Sequence, residues 1–321
     1  MRSSIPLRGQ LPSEIISVSN DAASFLCADG NISPEKHWLY RALFLLSAFL
    51  LLSNLVNHVG WAHGAPLPFL FFVAATAAVF AALLLRRNWS ALATSVILAL
   101  LLLMTLGSAI AEWDPRSIWF FHGKQIFLHD SLYAQLQDYA PWSHNDYPVL
   151  IPALAASMAK SLGYWNEVFP KLSVIYVQLP VFVLLVWLVP DARFFNLAMS
   201  TILLLGDKWL LNGYMDGVLA VFLALASLVL VKIYYEKQRV RRQVALHVIL
   251  VLLVANIVLL KNEGLALGGL LTLAALPSLR ERKPFAVLYL VPFAFFYFYW
   301  KQFVWQSGIS NDVIGEGIIA Q

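Results

Sequence analysis

Between Leu67 and Leu85 the chain carries no charged residue, and the run closes at Arg86-Arg87. Runs of this kind recur along the sequence. About 20 apolar residues in a helix cross the hydrocarbon core of a bilayer, and the chain supplies that many several times over. Of the 321 residues, 60% are hydrophobic and only 12% are charged. Soluble domains carry about 25% charged residues, so this chain cannot cover a water-facing surface in the usual way. The expected fold is an all-α, polytopic transmembrane bundle of about 8–10 helices.

The net charge of +4 could suggest a nucleic-acid partner. The basic residues instead cluster at the ends of apolar runs, the distribution of the positive-inside rule, so the expected partner is the lipid bilayer and not nucleic acid. The single cysteine, Cys27, excludes an internal disulfide and has no metal-ligand spacing. No apolar segment follows Arg2 and Arg8 closely enough for a signal peptide.

Residues 1–37 are polar and mixed, and are expected to form a cytoplasmic tail ahead of a membrane domain over 38–321. Runs at about 39–57, 67–85 and 90–111 follow. Lys36, His37 and Arg41 on the N-terminal side of the first run and Arg86-Arg87 after the second place those ends in the cytoplasm. The third run then delivers Glu112 and Asp114 to the outer face. Further runs lie at about 149–163, 169–189, 193–213, 214–234, 244–260, 265–278 and 285–304. Lys237, Arg239, Arg241 and Arg242 return the chain to the inside. Three runs between two outer points break parity. The segment 193–213, interrupted by Asp207 and Lys208, is the expected re-entrant or broken element.

The polar stretch 112–148 is where chemistry is expected. It concentrates Glu112, Asp114, Arg116, Lys124, His122, His129 and His144 between apolar runs. Its aromatic portion, Ser117–Leu128, fits a helix lying along the interface, ring side down. Leu132–Tyr139 fits a second such helix. Ionisable groups at membrane depth line cavities or pair with one another. By the topology above, Glu112 and Asp114, the turn His144-Asn145-Asp146-Tyr147-Pro148 with Asp216, and Lys261 with Glu263 converge on the outer face. A carboxylate can take the proton of an attacking hydroxyl, and cations can stabilise a leaving phosphate.

The order Glu112-x-Asp114, His144-x-Asp146-Tyr147-Pro148, Tyr214-x-Asp216 and Leu260-Lys261-Asn262-Glu263-Gly264 resembles the GT-C glycosyltransferases. It is most similar to the branch of protein O-mannosyltransferases and the lipid A aminoarabinose transferase. The resemblance covers about residues 38–300 and implies transfer of a sugar from a polyprenyl phosphate to a glycan, lipid or protein acceptor at the extracytoplasmic face of the plasma (inner) membrane. It makes Asp114 the catalytic carboxylate and Glu112 an accessory one. That family often has the two acids adjacent, whereas Trp113 separates them here. Lys261 matches the lysine at the donor phosphate, and Asp216 matches an acid that shapes the site. His144 and Tyr147 match polar donor or acceptor contacts. Arg116, Lys124 and Glu263 are further candidate substrate contacts, and Arg116, Lys124 and His122 have no matched counterpart. The resemblance leaves a divalent cation open as a cofactor.

Each of these residues also has a structural role available to it. Glu112 and Asp114 could cap a helix or pair with Arg116, Lys261 could snorkel, and Asp216 could be an N-cap. His144 and Tyr147 fit an ordinary entry to a helix at Pro148. His122 and His129 lack a third ligand for a metal. The competing functional classes are a transporter or lipid flippase, and a non-catalytic subunit of a cell-envelope assembly machine. A transporter should show internal repeats and midplane charges, whereas the ionisable groups here gather at helix ends. No Gly-rich phosphate loop is present, which argues against a nucleotide-sugar or ATP user.

Overall fold

The computed structural model describes residues 34–86, 88–133, 139–189, 197–199, 201, 209–235, 240–279 and 283–309. Its long helices are α1 (Pro34–Ala62), α2 (Phe69–Arg86), α3 (Trp89–Gly107), α6 (Leu172–Leu188) and α7 (Met215–Tyr235). Between α3 and α6 lie the shorter α4 (Phe120–His129) and α5 (Leu150–Lys160). After α7 come α8 (Val240–Ile257), α9 (Glu263–Ala275), α10 (Val291–Phe296) and α11 (Gln302–Gln306). Among the described residues there is no strand, and six helical segments are long and apolar enough to cross a membrane. The last is the composite Phe285–Gln306, in which α10 and α11 are joined through a π-helical turn. The chain is a multi-pass helical membrane protein.

The expected tail falls almost wholly outside the described residues, and its last four residues, from Pro34, already form the first turn of α1.

Burial ranks the helices. Inside the protein, 94% of Phe169–Leu188 is buried, against 22% of Phe69–Arg86. α6 is therefore the central post, packed on α1, α3 and α7, while α2 lies at the lipid-facing rim. A helix apolar on every side suits such a central place.

Neutral polar groups tie α1 to its neighbours. Ser53 Oγ is 2.8 Å from the Tyr176 hydroxyl, Asn54 donates to Asn256 at 2.8 Å, Ser157 donates to Asn57 at 2.7 Å, and the Trp61 indole donates to the Ala153 carbonyl at 2.9 Å. In hydrocarbon such bonds hold helices in register without charge. The sequence reading, directed at charged residues, passed over this seam.

The bundle has a basic end and a loop end. The Arg86 turn and the α7–α8 connection define the basic end. There the Tyr234 hydroxyl donates to Ala274 O at 2.6 Å, and Gln243 donates to Ile233 O at 3.3 Å. Residues 112–148, Tyr214 and Lys261 define the loop end. α8 and the segment from α9 to Leu279 each run between the two ends, and both fall short of the six longest segments.

α5 corrects the expectation of a crossing at 149–163. Its eleven residues span about 16 Å, half a hydrocarbon core. Both its ends are tied at the loop end. Leu150 N donates to Leu259 O at 3.4 Å, beside Lys261. At the other end Phe69 N donates to the Ser161 hydroxyl at 2.6 Å, and Lys160 pairs with Asp130. Only a few residues of 193–213 are described, so the expected break there lies outside the described residues. Parity does not call for one. α6 ends at the basic end, where Trp187 packs on Phe44, and Trp209 stands again at the loop end beside Tyr214.

The interfacial helix is also placed differently from its expected ring-side-down pose. The chain enters it through a π-helical turn, Pro115–Trp119, which runs into α4. Ile118, Trp119, Phe120, His122 and Ile126 are buried, so the aromatic side faces protein and covers α5. Gly123 permits this contact, because a Cβ there would stand 3.1 Å from Pro152 O. The second helix, Leu132–Tyr139, falls largely outside the described residues.

Candidate active site at the loop end

The turn 144–147 closes with Tyr147 N donating to His144 O at 2.9 Å, and His144 takes a left-handed φ of 51°. Few non-glycine residues adopt that conformation. It lays the imidazole against the Tyr147 ring, centroids 4.7 Å apart at 19°. The Trp119 ring centroid lies 5.6 Å from that of Tyr147, tilted by 33°. Asp146 is buried and accepts from the Asn262 amide, and its carbonyl accepts from the Trp300 indole at 3.0 Å. The loop is thereby locked to the start of α9 and to the last helix.

Lys261 sits in the tight connection from α8 to α9. Its ammonium is 2.8 Å from Asp216 and 3.2 Å from Glu263, and lies 5.8 Å over the Tyr147 ring. The side chain is only 15% exposed, so it folds back onto these groups and does not snorkel. Burial lowers its pKa, but the Asp216 hydrogen bond and the charges of Asp216 and Glu263 outweigh that, and the net shift is upward. Asp216 thus acts as the lysine's partner in the first turn of α7.

Glu112 and Asp114 reach the same place through Tyr214. The Tyr214 hydroxyl donates to Glu112 at 3.2 Å. Removal from water, the bond to Glu112 and the nearby charges of Glu112, Asp114 and Asp216 raise its pKa. Asp114 precedes the π-helical turn without capping it by its side chain, which removes the capping role. Gly213 makes the approach of α7 to this turn close. Its φ is +92°, and a Cβ there would lie 2.6 Å from the Phe120 ring and 3.3 Å from Pro115. Tyr147 is pushed up to about 12, first by burial and then by Glu263, with Lys261 opposing. Both tyrosines are therefore neutral hydrogen-bond donors at neutral pH.

The sequence-predicted residues divide into two groups. Glu112, Asp114, His144, Tyr147, Asp216, Lys261 and Glu263 gather around Tyr147 and Tyr214. Arg116 and Lys124 do not join them. They line a separate cavity of about 660 Å³ with Ser108, Phe120, Trp165 and Glu167. Arg116, Phe120 and Lys124 recur every four residues, the spacing that puts side chains on one face of a helix. No ion pair to Arg116 or Lys124 is present among the described residues. The wall between the two compartments is the turn Pro115–Phe120.

His122 belongs to neither compartment. It is buried, and its Nε2 donates to Ser143 O at 2.8 Å, tying α4 to the loop before His144. Among the described residues no group of three or more His, Cys, Asp or Glu side chains could hold a metal ion. Tyr214, Asp146 and Asn262 were missed as site residues although they lie inside the quoted motifs. Trp300 carried no signal at all, since only the fold brings it to Asp146.

No protein-family model matches the chain, and neither a curated protein nor a solved structure does.

Proposed function

We propose that this protein is an integral-membrane glycosyltransferase of the GT-C kind, moving a sugar from a polyprenyl phosphate to an acceptor on the extracytoplasmic side. The observation that carries the reading is one cluster at the loop end that joins carboxylates to a cation. Glu112 and Asp114 meet it through Tyr214, and Lys261 stands in it beside Asp216 and Glu263. A transferase needs both, one to take a proton and one to receive a leaving phosphate.

In the proposed reaction the acceptor hydroxyl oxygen attacks the anomeric carbon opposite the phosphate. The new C–O bond forms as the bond from that carbon to the phosphate oxygen breaks, and configuration inverts. The electron pair leaves with the lipid phosphate, and the acceptor proton passes to Asp114, with Glu112 beside it. Lys261 stabilises the leaving phosphate, held in place by Asp216 and Glu263 and over the Tyr147 ring. By the positive-inside rule the loop end faces outward.

The flippase reading would need ionisable groups along a path through the bundle. The buried polar groups on α1 instead bond to specific neighbours such as Asn256 and Ser157. No observation favours that reading.

The test is sugar transfer in proteoliposomes supplied with labelled polyprenyl-phosphate sugars, with Asp114→Asn beside the native protein. Loss of a general base costs about 10²–10⁴-fold, and a drop of that size in a folded, donor-binding variant is expected. Equal turnover would remove Asp114 from the chemistry. No transfer with any donor would favour the flippase or the assembly subunit.

A further inference from the structure

Two exposed tryptophans at the loop end take no part in the proposed reaction. Trp113 stands between Glu112 and Asp114 in the chain and is 54% exposed. Its carbonyl accepts from the Ser117 hydroxyl at 2.7 Å, which ties its backbone to the π-helical turn. Trp209 is 40% exposed, and its ring centroid lies 4.4 Å from that of Tyr214, tilted by 52°. Gly217, in the first turn of α7, lets Trp209 come this close, because a Cβ there would meet Trp209 O at 2.5 Å. The Tyr214 hydroxyl in turn donates to Glu112 at 3.2 Å. Two open indoles thus border the same carboxylate pair, one by its place in the chain and one through Tyr214.

Tryptophans exposed at the outer end of a membrane helix ordinarily form a belt among lipid headgroups. Trp305, 73% exposed on α11, fits that description. Trp113 and Trp209 differ in their neighbours. Glu112, Asp114 and Asp216 stand close enough to Tyr214 for their charges to act on its hydroxyl. A sugar ring matches both features. The C–H bonds over its faces suit the electron-rich face of an indole, and the hydroxyls round its rim donate to carboxylates. Among the described residues there is no strand whose edge could take an extended peptide.

We propose that Trp113 and Trp209 form an aromatic platform on which the acceptor's own sugar rings stack, so that the acceptor is a glycan chain. The transfer step rests on the transferase reading, whereas glycan binding stands apart from it. The platform brings a rim hydroxyl of the terminal sugar to the Glu112–Asp114 pair. The oxygen of that hydroxyl forms the new bond to the anomeric carbon, its proton passes to Asp114, and the electron pair of the broken bond leaves with the lipid phosphate. Two indoles favour linked sugar units over a single one.

The test is equilibrium dialysis of radiolabelled tetrasaccharides of glucose, mannose, galactose and N-acetylglucosamine against the full chain in phosphatidylcholine nanodiscs, with no donor present. Saturable binding of at least one tetrasaccharide is expected, and weaker binding of its monosaccharide. Trp209→Ala and Trp113→Ala should each weaken it about tenfold. Trp209→Phe should recover part of the loss, because a ring is kept, and Trp305→Ala should change nothing. Equal binding in Trp209→Ala and the native protein would overturn the proposal, as would no saturable binding of any of the four. In proteoliposomes Trp209→Ala should raise KM for the bound glycan more than it lowers kcat. Transfer to a serine- and threonine-containing peptide or to a lipid, intact in Trp209→Ala, would sustain the transferase and sink the platform. Glycan binding that follows the expected pattern, with no transfer from any donor, would do the reverse.

Discussion

His122 shows how a residue outside both compartments can govern them. Burial lowers its pKa to about 4, with the Ser143 carbonyl opposing. The folded pKa lies below the unfolded value of 6.5, so the unfolded chain binds more protons between those two values. The stability tied to neutral His122 is complete above pH 6.5 and is lost as pH falls toward 4. The loss is on the order of 3 kcal/mol. Thermal unfolding in detergent should therefore fall more steeply between pH 7 and 4.5 in the native protein than in His122→Gln, which keeps an N–H for Ser143 O. Parallel pH profiles would show that His122 is not the titrating group. Lys261 makes a different prediction. Lys261→Ala leaves Asp216 and Glu263 without their shared cation, and transfer should drop at least tenfold through rearrangement of Tyr147. Lys261→Arg should restore part of it, because a cation is kept. A drop equally deep in both would tie the loss to the ammonium's own geometry.

At the scale of elements, one glycine sets how closely α8 and α9, which flank Lys261, approach. Gly264 lies in the first turn of α9, three residues after Lys261, and a Cβ there would stand 2.0 Å from Ile257 O. The obstacle is backbone, so it cannot swing away. Gly264→Ala should destabilise the protein by about 1–3 kcal/mol, read as a lower unfolding temperature, with lost transfer because Lys261 moves. Gly269, with nothing within 4 Å of its added Cβ, should accept alanine without loss. Equal stability of the two variants would show that the α8–α9 approach is looser than drawn. The apolar runs were legible because burial in lipid leaves a long unbroken signal in sequence. α5 was misjudged as a crossing because its apolar residues are buried by α1, α4 and α6, and composition does not tell protein from lipid. The same ambiguity hid the inward side of α4 and of the turn before it, where Phe120 and Trp119 were expected to face the membrane.

For the whole molecule, sidedness and site assembly can be tested together. Trp142 and Tyr164, 63% and 57% exposed, flank α5. With Cys27→Ser as background, Trp142→Cys and Tyr164→Cys should both react with a membrane-impermeant maleimide from the outer side, and Asn88→Cys only after permeabilisation. Labelling of 142 and 164 from opposite sides would restore the crossing at 149–163. The sequence alone determined the class of the protein, the ends of most passes and the polar segment between them, because the bilayer imposes run length and charge placement residue by residue. It also singled out seven of the ionisable and aromatic groups now found around Tyr147 and Tyr214. The tertiary structure alone decided that Arg116 and Lys124 stand in a separate chamber, that α5 turns back, and that Trp300 closes on Asp146. Those outcomes depend on which helix faces meet across more than a hundred residues of chain, and that pairing leaves no periodic mark in a sequence apolar on nearly every side.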